Sequence, residues 1–207
     1  MRISLAIIFA GALAAVIAVV LPGVAHAADL TTSRAAGAAV PPPPAALPAD
    51  GDNAAKARAL VAAAINMTDS NRAVALLWQA TNLDPTLEEA YVYLGLYYNS
   101  RSQFDRVVQV YQKLVKYHPK ETSAWLNIGE AYLSLSPPRY EAALPCYRKA
   151  FALDATSSIA ALRIGMIYAE ENNRAEAMRY LRLAAGDRTK NPEIAEQADR
   201  LIRQIGS

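Results

Sequence analysis

The sequence predicts an all-α protein made of stacked antiparallel helix pairs, an α-solenoid closed by a C-terminal capping helix. Three observations carry that prediction. Landmarks recur 34 residues apart: Pro85 with Pro119, Gly95 with Gly129, Tyr98 with Tyr132. A helix-face set of small or apolar residues, Ala73, Leu77 and Ala80, returns 34 residues later as Val107, Tyr111 and Leu114. It returns after a further 36 as Ala143, Tyr147 and Ala150, and after 34 more as Ala177, Leu181 and Ala184. A fixed period of this length is the mark of supersecondary units that cannot bury their apolar faces alone and do so by stacking. Finally, 53% of residues are hydrophobic while cysteine occurs once, as Cys146. No internal disulfide is available, so the fold must stand on packing.

The chain begins MRISLAIIFAGALAAVIAVVLPGVAHA. A basic residue, Arg2, precedes an apolar run over 5–21; Pro22 and Gly23 break it, and Ala25-His26-Ala27 gives a small-x-small cleavage pattern. Residues 1–27 therefore read as a secretory signal cut after Ala27. The alternative is an uncleaved anchor, since the run approaches the roughly 20 residues that span a bilayer. No cysteine stands at the cut, which excludes a bacterial lipoprotein. Residues 28–52 are rich in Ala, Pro, Thr and Ser, with four prolines at 41–44. They read as a disordered, extended tether or, alternatively, as a proline-rich ligand for a groove-type domain. Cleavage removes Arg2 and leaves a net charge of +1, too balanced for a nucleic-acid surface.

Helical repeats follow over 53–190, in units of about 54–87, 88–121, 122–157 and 158–190. In the best copy, Tyr91, Leu94, Gly95 and Tyr98 are followed by Val107, Tyr111, Leu114 and Pro119. The next has Trp125, Ile128, Gly129, Tyr132, Ala143, Tyr147 and Ala150, with Ala155 in place of proline; the third has Ala161, Ile164, Gly165, Tyr168, Ala177, Leu181 and Ala184. This pattern resembles the tetratricopeptide repeat family over about 54–190. The resemblance implies a right-handed solenoid in which the first helix of each unit lines a concave groove, glycines let paired helices approach, and Tyr98, Tyr132 and Tyr168 fill the gaps between units. There are departures. KARALVAAAI, the first helix of the first unit, lacks the Leu-Gly pair and reads as a degenerate cap. Two extra residues beside Pro137 and Pro138 lengthen one turn, Pro138 suits the first turn of the next helix, and Pro145 should bend that helix. Residues 191–205 form the last helix, with Asn191 as N-cap and Pro192 in first position.

By helical phase, the groove-facing residues are Glu89, Tyr93, Leu96 and Asn99, then Asn127 and Glu130, then Arg163 and Met166. An aromatic, aliphatic contacts, amides and both charge signs together suit a peptide or protein partner better than a phosphate or metabolite. A subset of the family clamps a C-terminal carboxylate. Asn127 and Arg163 would match two of its positions, but Val92, Leu96 and Ile159 hold others and bind no anion, which rules the clamp out. His118 with Glu121 lacks the second donor of a zinc site and reads as turn structure. Asp50-Gly51-Asp52 starts a helix more readily than a calcium loop, and Cys146 reads as a buried or half-buried thiol. No nucleotide or hydrolase motif occurs. The expectation is an exported, periplasmic or N-terminally anchored interaction scaffold, with neither enzyme activity, cofactor, metal nor nucleic acid, that helps to assemble an envelope complex. A self-associating solenoid without a peptide ligand, or an accessory glycan-binding role for Tyr93, are the alternatives.

Overall fold

A computed structural model describes residues 51–206. The signal segment and nearly all of the tether lie outside the described residues. Every described element is a helix: α1 Gly51–Ile65, α2 Ser70–Leu83, α3 Glu88–Ser100, α4 Phe104–Tyr117, α5 Thr122–Ser134, α6 Tyr140–Leu153, α7 Ser158–Glu170, α8 Arg174–Ala185 and α9 Pro192–Gly206. The architecture is a helical solenoid of stacked helix pairs. Two compact bodies are distinguished, one ending at Lys149 and one running from Ala150, so the division falls inside α6.

In the first body α1 packs on α2, α2 on α3, α3 on α4 and α4 on α5. One apolar core runs through it, from Ala57, Val61 and Ala64 of α1 to Ile128 and Ala131 of α5. The degenerate first helix thus joins the stack through alanines and a valine. It starts at Gly51, two residues inside the expected tether, where Lys56 pairs with Asp52 one turn earlier. In the second body α7 packs on α8, and α9 packs on both. Leu162, Met166, Leu181, Ala198 and Leu201 share its core.

Local sequence explains where the helices begin and end. Asp69 caps α2 by accepting from the amides of Asn71 (3.0 Å) and Arg72 (3.1 Å). Ser157 and Asn173 cap α7 and α8 in the same way, satisfying amides that a helix start leaves without partners. Asp84, His118 and Asp154 hold the same place in successive repeats, directly after α2, α4 and α6. Asp84 and Asp154 fold back on Thr86 and Thr156, while His118 instead meets the Thr86 carbonyl at 2.7 Å. Inside two of the pairs, Ser102 (φ 56°) and Asn172 (φ 59°) take the left-handed turn conformation. Gln103 N donates to the Tyr98 carbonyl and Asn173 N to that of Tyr168; the lengthened turn closes the same loop from Arg139 N to Tyr132. The two extra residues are therefore absorbed before α6 begins. Pro138 precedes that helix instead of entering its first turn, because the backbone of Arg139 already accepts from Ala142 and Ala143. Pro145 lies within α6, on its exposed side.

Candidate first-helix binding face

The glycines set how closely each pair is joined. A Cβ on Gly95 would lie 2.5–2.6 Å from the end of the Tyr111 ring, and one on Gly129 2.7–2.9 Å from Tyr147. At Gly165 it would meet Leu181, at 2.8 Å from Cγ and 3.1 Å from the backbone nitrogen. Each first helix thus seats a large residue of its partner helix in the hollow that glycine leaves. Burial pushes the Tyr111 hydroxyl far up from its ordinary pKa, with Glu88 adding to the effect.

Conserved spacing also repeats the polar joints. Tyr91 donates to the carbonyl of Pro85 at 3.1 Å, and 34 residues on Trp125 donates to that of Pro119 at 3.0 Å. Between units, Trp78 donates to the Tyr98 hydroxyl and Gln112 to that of Tyr132, both at 3.1 Å. Tyr98 and Tyr132 therefore stitch consecutive units together, as their positions suggested. None of these bonds was expected; the matching offsets of 78 to 112 and 98 to 132 were the signal available in the sequence.

Four of the eight groove candidates lie on α3. Glu89 is exposed, and Tyr93, Leu96 and Asn99 are half-buried. Tyr93 and Tyr97 close one side of an apolar notch whose other walls are Ala64, Ile65, Ser70, Ala73, Val74 and Leu77. The notch is shallow, with a volume of about 10 Å³, roughly what one water needs. Ile65 stands 37% exposed there. Tyr97, absent from the candidate set, donates to Asn71 at 3.1 Å, and Arg101 lies 4.2 Å above its ring. Burial raises the Tyr93 hydroxyl pKa, and the nearby Glu89 charge raises it further.

On α5, Asn127 and Glu130 are half-buried and already engaged. Asn127 donates to the Ser123 carbonyl at 2.9 Å, and Glu130 accepts from Tyr147 at 2.9 Å. On α7 the expectation fails. Met166 is fully buried, in one apolar cluster with Ala198 and Leu201 of α9. Arg163 is 4% exposed, with its guanidinium against the Met166 sulfur at 3.7 Å. The helix that ends the stack packs against α7, so these two residues serve the core.

Of the chemistry-bearing groups, Glu121 caps α5 through Ser123, and His118 is held in its turn as described. Cys146 is 7% exposed and turned toward the Ala142 carbonyl, and burial pushes its thiol up to about 11. A thiol with that pKa stays protonated and unreactive near neutrality.

Comparison with known proteins agrees with this geometry. The family model described as tetratricopeptide repeat matches residues 122–157 and 160–186. Residues 122–157 and 160–186 carry tetratricopeptide repeats. Human superkiller complex protein 3 is 29% identical over 120 residues, 57% of this chain and 8% of that protein. Anaphase-promoting complex subunit 3 of Schizosaccharomyces pombe is 25% identical over 100 residues, 48% of this chain and 15% of that one. The chain therefore spans a small fraction of these relatives' length. Among solved structures, the TPR2B domain of yeast Sti1 in its pHsp70 complex superposes with a TM-score of 0.52 at 21% identity, covering 57% of this chain and 94% of that domain. A thermophilic tetratricopeptide repeat protein of Thermus thermophilus gives 0.53 at 20% identity, covering 72% and 83%. These likenesses show the fold. Proteins built of tetratricopeptide repeats generally mediate protein–protein interactions.

Proposed function

We propose that this protein is an exported scaffold without catalytic activity that holds a partner protein or peptide on its first-helix face and supports assembly of a cell-envelope complex. The observation that carries the reading is the half-open surface of α3, where Tyr93 and Tyr97 border an apolar notch. Two tyrosines and Ile65 line a shallow apolar depression at the end of a hairpin. Rigid aromatic side chains contribute contact area at little entropic cost, as binding anchors do. Support for export comes from the basic residue, apolar run and small-x-small pattern of residues 1–27. The partner is another polypeptide, because the face offers apolar and amide contacts and no assembled anion or metal site.

The test is in-cell crosslinking followed by mass spectrometry on the envelope fraction, with wild type and Tyr93→Ala. Crosslinks from α3 to a discrete envelope protein should form in wild type and fall sharply in the variant, and the mature chain should start at Ala28. Equal crosslinking by both forms removes the face as the binding surface. Recovery of the protein only from the cytoplasm, with residue 1 intact, removes export.

A further inference from the structure

In the body ending at Lys149, α3 and α5 contain no lysine or arginine, and their charged residues are Glu88, Glu89 and Glu130. Cations stand on α1 (Lys56, Arg58), on the second helices (Arg72 on α2, Arg106, Lys113 and Lys116 on α4, Arg148 and Lys149 on α6) and in the turns (Arg101, Lys120, Arg139). Of the three glutamates, Glu89 is exposed, Glu130 is taken up by Tyr147, and Glu88 is half-buried near Glu121 and His118. Glu89, Tyr93 and Tyr97 follow one another at four-residue intervals and so lie along one stripe of α3. One end of the stripe carries a free-standing carboxylate and its middle opens onto the notch. At its other end Arg101 stacks over Tyr97.

We propose that this stripe takes a basic, apolar segment of a partner protein: an aliphatic side chain covers the shallow notch and an adjacent lysine or arginine meets Glu89. The proposal rests on the partner-holding reading above and specifies the chemistry of what is held. The notch walls are uncharged, so they reward apolar burial alone. The sign of the neighbouring charge then sets the choice of partner, since opposed potentials favour an encounter and like charges penalise it. An acidic segment would meet Glu89 with no cation on α3 or α5 to answer it. The Arg101 guanidinium, stacked past the end of α3, fixes the direction, leaving the partner's cation at the Glu89 end. The whole chain carries +2, so non-specific attraction would favour an acidic peptide, opposite to the preference proposed.

Fluorescence anisotropy on the full-length protein tests this with three end-blocked, labelled peptides. One alternates leucine with lysine, one alternates leucine with glutamate, and one copies this chain's own residues 36–49. The lysine peptide should bind about tenfold more tightly than the glutamate peptide, as an exposed charge contact traded for a repulsion allows. Glu89→Gln should erase that preference and Glu89→Lys reverse it, with thermal unfolding lowered by a few degrees at most, since Glu89 is exposed but sits in the first turn of α3, while Tyr93→Ala should weaken binding of the lysine peptide. Equal affinities, or a preference indifferent to Glu89→Lys, overturn the proposal. Tighter binding of the 36–49 peptide overturns it too, and assigns the notch to the chain's own segment. If envelope crosslinks depend on Tyr93 but no charge preference exists, the partner-holding reading survives and only this inference falls.

Discussion

Leu96 of α3, Glu130 of α5 and Met166 of α7 hold the same position in successive repeats, 34 and then 36 residues apart, yet their surroundings differ. Leu96 and Glu130 are half-buried, whereas Met166 has no exposed surface. The contrast extends along the helices. On α3 and α5, Glu89, Tyr93, Asn99 and Asn127 all have some access to solvent. On α7, Ser158 and every residue from 160 to 168 are buried. One repeat pattern therefore yields a surface in one body and core in the other. The glycine hollow is common to all three pairs; what differs is the neighbour. α9 packs against both helices of the last pair, and α7 has Ile159, Arg163 and Met166 where α3 has Glu89, Tyr93 and Leu96 and α5 has Ser123, Asn127 and Glu130.

That comparison is sharpened most by moving one charge between its two sides. Met166→Glu places a carboxylate in the apolar cluster with Ala198 and Leu201, beside the buried Arg163 guanidinium; a buried ion pair is about 1–4 kcal/mol less stable than apolar packing of similar volume. That is a large share of a small domain's stability, about 5–15 kcal/mol, so chemical denaturation should show a severe loss for this variant. Leu96→Glu, at the matching position of α3, should cost no more than about 1 kcal/mol, since the adjacent repeat already has Glu130 there. Similar losses for the two would erase the distinction.

What the pairs share can be broken next. Gly95→Ala drives a methyl group into the buried Tyr111 ring, an overpacking penalty of about 1–3 kcal/mol set against roughly 1 kcal/mol of recovered helix propensity. Gly165→Ala should cost more, because there the obstruction includes the branch point and backbone nitrogen of Leu181, which cannot swing aside. Denaturant titration of the two variants reads the ranking directly.

The smallest effect expected concerns Glu170, at the end of α7. Its Oε1 is buried and has no hydrogen-bond partner among the described residues, and burial raises its carboxyl pKa. The folded state then binds this proton more tightly than the unfolded chain. Its contribution is favourable at low pH and is lost as pH rises through the raised value. Glu170→Gln should therefore raise Tm at pH 7 by a degree or two, on the order expected for a few tenths of a kcal/mol. The gain should vanish by about pH 3, well below the ordinary carboxyl value, where the wild-type carboxyl holds its proton in both states. A gain that persists in acid would mean that the charge is not its cause.

Much of this was legible in the sequence because the repeat constrains it several times over. Gly95, Gly129 and Gly165 announced that the helices of each pair approach closely, but the large residues Tyr111, Tyr147 and Leu181, which fill the hollows, were not read as their partners. Asn191-Pro192 marked the start of the last helix. Less of the face could be read. Helical phase places Arg163 and Met166 in register with Tyr93 and Leu96, but phase is a property of one helix and burial depends on what packs over it. Glu130 looked free because its bond to Tyr147 crosses to another helix. Tyr97 was overlooked since the repeat pattern assigns it no role, although its spacing of four from Tyr93 pointed to the same stripe.

Hydroxyl-radical footprinting of the intact protein tests the central claim most directly, that the first-helix face is open on α3 and closed on α7. Methionine is intrinsically far more oxidisable than leucine, so chemistry alone would put Met166 well ahead of Leu96. The account predicts the reverse, with modification at Tyr93 and Leu96 and none at Met166 until denaturant is added. Rapid oxidation of Met166 in the native protein, with Tyr93 protected, would contradict it.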